Sequence, residues 1–133
     1  VNGRAPTDSR ALKGKSGLVR LINAARYSRD GLVEAWRCED AFRQEVVLAI
    51  VLIPLALALP VTAVEKILLI GAVLAVLVVE LLNTAIEAAI DRDSLEIDAL
   101  GKRAKDYGSA AVLIALLAAG GTWLAVLWSN FVR

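Results

Sequence analysis

Glu80, Asn83, Glu87 and Asp91 recur at i, i+3, i+7 and i+11 near the end of an apolar run that begins at Ile67. On a helix turning about 100° per residue they share one face, and Leu, Ile and Ala fill the opposite one. A carboxylate inside a membrane helix costs at least about 2.5 kcal/mol on insertion scales, so such a stripe needs a partner or a task. One task is phosphoryl transfer. Magnesium takes oxygen ligands, often one or two carboxylates plus nucleotide phosphates, and Glu87 with Glu39 could supply such a pair. Lys105 could meet the phosphate charge as a point cation. Glu80 lies about 10 Å deeper along the helix axis than Glu87, where it could accept a proton from a hydroxyl embedded in lipid. The same spacing also suits a stripe that neutralises basic residues of a surface helix, or one that lines a cation pathway. Pattern alone leaves these alternatives open.

Other chemistries are excluded by what the chain lacks. Its 133 residues contain no histidine, which rules out serine–histidine and cysteine–histidine nucleophile systems and imidazole metal sites. Cys38 is the only cysteine, so no internal disulfide can form. Fifteen basic residues against 14 acidic ones give no reason to expect nucleic acid as a partner. Gly14-Lys15-Ser16 imitates the end of a phosphate-binding loop, but Ser9 stands where that loop needs its first glycine and no buried strand precedes it.

The elements that must hold the stripe are helices in a bilayer. Hydrophobic residues make up 58% of the chain, with a mean hydropathy of +0.63, too apolar for an ordinary soluble domain of this size. Residues 1–17 read as a flexible cytosolic tail, and residues 18–133 as one membrane domain. No secretory signal is visible, because the apolar segments follow about 45 charged residues rather than a short basic segment. A surface helix is expected over about 18–37. There Leu18, Leu21, Ile22, Ala25, Leu32, Val33 and Trp36 fall at helical spacing among basic residues, with Gly31 expected to interrupt the helix. Three spans follow over about 42–61, 64–92 and 103–130. Pro54 should kink the first and Pro60 mark its end. Trp123 and Trp128 read as interfacial anchors of the third. Gly108, Ala111, Ala115, Ala118, Thr122 and Ala125 form a small-residue face that permits close helix contact and suggests oligomerisation.

Orientation follows from the Lys and Arg counts beside the spans. Nine lie in the N-terminal segment through Arg43 and four in the second loop, against Lys66 alone in the first loop and Arg133 alone at the end. The N-terminus and the second loop therefore face the cytoplasm, and Glu39, the lower end of the stripe and Lys105 share that side.

The segment Glu80-Leu81-Leu82-Asn83-Thr84-Ala85-Ile86-Glu87-Ala88-Ala89-Ile90-Asp91-Arg92 closely resembles the signature of the prokaryotic diacylglycerol kinases, small membrane enzymes unlike soluble kinases. Three further matches keep the family's order. They are Ala24-Ala25-Arg26-Tyr27-Ser28 with Gly31, then Glu39 with Ala41-Phe42-Arg43-Gln44-Glu45, then Arg103-Ala104-Lys105-Asp106 followed by Gly108-Ser109-Ala110. Together they cover the chain from about Leu18 onward.

The resemblance implies an all-α membrane protein with one surface helix and three spanning helices per protomer. It also implies a homotrimer in the bacterial inner membrane whose sites are shared between neighbours. The implied reaction moves the γ-phosphoryl of MgATP directly to the primary hydroxyl of diacylglycerol, giving phosphatidic acid. Carried onto matching positions, Glu80 resembles the catalytic base, Asn83 a residue that positions the reacting groups, and Glu39 with Glu87 the Mg²⁺ ligands. Lys105 would hold phosphate, Asp106 and Tyr27 would contact the nucleoside, and Arg20 would add a cation near the phosphates. Asp91 closes the stripe at the ATP side and Ser109 lies on the lipid side. The loop Ser94-Leu95-Glu96-Ile97-Asp98 departs from the family's common Glu-Tyr-His wording and keeps only Glu96 as a nucleotide contact. An undecaprenol kinase of the same architecture is the neighbouring alternative, and a non-catalytic helical subunit the one from another class.

Overall fold

The computed structural model of the chain describes residues 17–92 and 98–132, and every described element is helical. Helix α1 spans Gly17–Cys38, α2 Asp40–Ala58, α3 Ala63–Asp91 and α4 Ala99–Phe131. The expected tail up to residue 16 and the candidate Glu96 lie outside the described residues. The chain divides into two units, one carrying α1 and the other α2 to α4.

Helix α1 runs through Gly31 without a break, and Gly31 has no positive φ. The expected interruption is absent because one glycine costs a helix interior only about 1 kcal/mol, which the 21 other residues of α1 outweigh. Its apolar residues Leu18, Leu21, Ile22, Leu32 and Trp36 are all exposed.

Helices α2, α3 and α4 are each long and apolar enough to cross a membrane. Helix α3, at 29 residues, rises about 43 Å, and α4, at 33 residues, about 50 Å, both beyond a hydrocarbon core of about 30 Å. Helix α3 is the central element and packs against both α2 and α4. Its seam is Leu69, Val73, Val76 and Glu80, all buried at alternating steps of four and three. Helix α2 answers with Phe42, Ala49 and Ala56, spaced by seven. Pro54 is accommodated inside α2, and Pro60 falls just beyond its end, where it cannot continue the helix.

Polar ties lock the end where α2 turns into α3. Thr62 caps α3, accepting from the Glu65 amide at 3.3 Å while its own amide donates to Glu65 Oε2 at 2.8 Å. Lys66 Nζ donates to the Leu57 carbonyl at 2.7 Å, satisfying one of the orphan acceptors at the end of α2. From α4, Asn130 Nδ2 reaches Glu65 Oε1 at 2.9 Å. Beneath these ties Ala56, Leu69 and Val126 form an apolar cluster joined by Trp123. Trp123 donates its indole N–H to the Leu69 carbonyl at 3.3 Å, so it is a bolt between α3 and α4 rather than the expected interfacial anchor, whereas Trp128 remains exposed. In lipid, apolar burial drives helix association weakly, so such directional contacts carry more of the specificity.

The small-residue face of α4 is divided. Gly108, Ala115 and Thr122 are at least half turned into the bundle, while Ala111, Ala118 and Ala125 are exposed.

Candidate active site

At the opposite end of the bundle the seam of α3 changes character. Positions 69, 73 and 76 are apolar, and the same face then carries Glu80, Asn83 and Glu87. Glu80 is only 5% exposed, the one charged side chain counted with the core among the described residues. Carboxylates surround it: Glu87 first and Glu39 second act on it electrostatically, and Glu80 in turn acts on Glu45 of α2. A buried carboxylate beside others of like charge is a poor structural contact and a suitable proton acceptor once a hydroxyl is present.

Asn83 links the deep and shallow parts of the stripe. Its Nδ2 donates to Glu87 Oε1 at 3.2 Å, which holds one carboxylate oxygen in place. Its Oδ1 is buried with no hydrogen-bond partner. Gly108 of α4 creates the space for it, since a Cβ there would overlap Oδ1 and lie 3.8 Å from the Asn83 Cα. Close approach of α3 and α4 at this level therefore depends on the missing side chain.

Glu39 is the N-cap residue of α2 in extended backbone, with φ −112° and ψ 111°, yet its side chain makes no capping hydrogen bond. That carboxylate is not consumed by its own helix. Among the described residues no group of three or more His, Cys, Asp or Glu side chains is placed to hold a metal ion. A magnesium ion needs fewer protein ligands, because phosphates and waters complete its shell. With Glu87 steered by Asn83 and Glu39 unspent on capping, the oxygen-only donor set fits such an ion.

The rim is built where α3 ends and α4 begins. Lys105 Nζ donates to Asp91 Oδ1 at 2.6 Å, joining the two helices, and Lys102 Nζ pairs with Asp106 Oδ2 at 2.6 Å on α4 itself. Asp98 caps α4, accepting from the Gly101 amide at 2.6 Å. Arg43 pairs with Asp40 at the start of α2. Ser109 follows Gly108 on the exposed side of α4. Arg20 and Tyr27 belong to the first unit, where both are exposed on α1.

Glu45 is a site residue that the spacing of α3 could not reveal, because it comes from α2. Its Oε2 is buried without a hydrogen-bond partner and it lines a cavity of about 300 Å³. Leu48, Leu52, Val73, Val76 and Leu116 supply most of the remaining wall. Its sequence signal is a carboxylate five residues into an apolar helix, facing the same way as Phe42 and Ala49. An apolar chamber with one carboxylate at its wall suits an amphiphile with a long hydrocarbon part and a polar head.

The chain was compared with known proteins. The family model described as prokaryotic diacylglycerol kinase matches residues 26–127. Diacylglycerol kinase of Escherichia coli (strain K12) is 50% identical over 116 residues, covering 87% of this chain and 95% of that protein. The Pseudomonas aeruginosa diacylglycerol kinase is 51% identical over 115 residues, covering 86% of this chain and 94% of the relative. That of Haemophilus influenzae is 48% identical over 113 residues, covering 85% and 96%. The buried carboxylate seam, the charged rim and the three spanning helices thus sit in a chain that belongs to the prokaryotic diacylglycerol kinase family.

Proposed function

We propose that the chain phosphorylates the primary hydroxyl of diacylglycerol with MgATP at the cytoplasmic face of the bacterial inner membrane, yielding phosphatidic acid. The observation that carries this reading is Glu80, buried one helical turn from Val76 of the chamber wall and in electrostatic reach of Glu87 and Glu39 toward the polar rim. A lipid alcohol and a nucleotide need those two environments, and they must meet at one proton acceptor.

The hydrocarbon part of the lipid would occupy the chamber beside Leu48, Leu52 and Val76. Diacylglycerol has one free hydroxyl, and Glu45 Oε2 and Asn83 Oδ1, each buried and unpartnered, would line the polar pocket that receives it. Glu80 takes the proton of the attacking hydroxyl. The oxygen forms a bond to the γ-phosphorus as the bond to the β–γ bridging oxygen breaks, and ADP leaves with that electron pair. Magnesium, held by Glu39 and Glu87, supplies neutralisation of phosphate charge when bound. Lys105 would add a cation to the phosphates and Asp106 would contact the nucleotide, a role that the family resemblance extends to Tyr27, Arg20 and Glu96. Ser109 lies on the lipid side.

The same proposal includes α1 as an amphipathic helix on the anionic cytoplasmic surface and assembly into a homotrimer with shared sites. Its exposed Leu18, Leu21, Leu32 and Trp36 support the first part, and the exposed Ala111, Ala118 and Ala125 of α4 support the second. Purified protein given radiolabelled ATP and Mg²⁺ with a panel of lipid alcohols tests the reaction. Diacylglycerol is expected to be labelled at least tenfold faster than undecaprenol; preferential labelling of undecaprenol would assign the chain to that substrate, and no labelled lipid would remove the reading.

A further inference from the structure

The ion pair that joins the ends of α3 and α4 stands at the rim of the candidate site. Asp91 is the last residue of α3, where the negative end of the helix dipole disfavours a carboxylate. Lys105 stands in the second turn of α4 with its side chain only 25% exposed, too enclosed for a lysine that serves solubility alone. Each is placed unfavourably for its own helix, and each is satisfied by the other at 2.6 Å. Lys102 and Asp106 pair with each other on α4 and do not share this contact.

We infer that Asp91 is a positioning residue for Lys105, fixing its ammonium for the triphosphate, and that Asp91 does not itself touch the nucleotide. The inference rests on the phosphate role of Lys105 proposed above. A lysine on a four-carbon stem samples many rotamers, and each must be given up when phosphate binds. A carboxylate already bonded to Nζ removes that freedom beforehand. The ammonium has three donors, so one bond to Asp91 Oδ1 leaves two for phosphate oxygens. The residue expected from sequence to close the stripe at the nucleotide thereby acts from the far side of the lysine.

The test is a double-mutant cycle on the full-length protein in micelles, read by equilibrium binding of a fluorescent ATP analogue with Mg²⁺ and by steady-state kinetics. Lys105→Met should weaken nucleotide binding by roughly tenfold and Asp91→Asn by roughly fivefold, sizes ordinary for charged contacts. Asp91→Asn in the Lys105→Met background should add less than about twofold, because its effect passes through the lysine. Asp91→Glu, which keeps the charge, should recover binding to within about twofold of wild type, and the KM for ATP should change while the KM for lipid does not. Unchanged binding in Asp91→Asn, or a loss that adds fully to that of Lys105→Met, overturns the inference and leaves the phosphate role of Lys105 standing. Unchanged binding in Lys105→Met removes that role, and the inference with it.

Discussion

Glu80 and Glu87 are seven residues apart on one face, and burial separates the tasks proposed for them. Glu80, almost fully enclosed one turn from Val76 of the chamber wall, is the proton acceptor of the proposed reaction. Glu80→Gln keeps size and hydrogen-bonding capacity but removes the proton acceptor, and should lower kcat by about 10² to 10⁴ without loss of assembly. Turnover near the wild-type rate in a radiolabel assay would show that another group takes the proton. Glu87 is half-buried, with one oxygen held by Asn83. Glu87→Gln and Glu39→Gln should each shift half-saturation to higher Mg²⁺, measured at fixed ATP; an unshifted titration in both removes the ligand assignment.

Gly108 shows how one element sets the geometry of another. Gly108→Ala drives a Cβ into Asn83 Oδ1, so either α4 moves away or the Asn83 amide rotates off Glu87. The expected result is a loss of about 1 to 3 kcal/mol in stability, of the size seen for overpacking, together with a raised Mg²⁺ requirement. A variant with unchanged melting and unchanged Mg²⁺ titration would mean that the close approach is not needed. At the other end, Trp123→Phe removes the indole donor to the Leu69 carbonyl and should cost about 1 kcal/mol on thermal melting with no change in KM for ATP; a changed KM would couple the two ends. These contacts mark what the sequence could disclose. The face shared by Glu80, Asn83, Glu87 and Asp91 was legible because helical periodicity is local, as were three long apolar segments. Thr62-Ala63-Val64-Glu65 carries a capping-box pattern that is equally readable, with Thr and Glu three residues apart ahead of an apolar run. Glu45, the inward turn of Trp123 and the pairing of Lys105 with Asp91 depend on how separate helices are rotated against one another, which a single helix's spacing does not encode. Gly31 misled because glycine weakens a helix without ending it.

For the whole molecule, the proposed trimer with shared sites makes a specific demand. If Glu39 and Glu80 of one working site come from different chains, mixing inactive Glu80→Gln and Glu39→Gln subunits should restore up to about a quarter of wild-type activity in co-assembled protein, through sites that happen to be intact. Strict absence of recovery, with co-assembly verified by mass measurement, would place both residues in one chain. The two ends of the three-helix unit also differ in how firmly they are joined. At one end Lys66 fastens α2 to α3 beside the Thr62 cap, and Asn130 and Trp123 fasten α4; at the other Lys105–Asp91 ties α3 to α4, while Glu45 of α2 keeps a buried oxygen without a hydrogen-bond partner beside the apolar chamber. Helices α2 and α3 are thus hinged like tweezers, with their fulcrum remote from the proposed site. Small splaying of the tips would admit a lipid sideways from the leaflet while the bolted end keeps register. Amide hydrogen exchange should accordingly be slowest around Leu69 and faster around Glu87; equal protection at both places would mean that the lipid enters a preformed gap rather than one that opens for it.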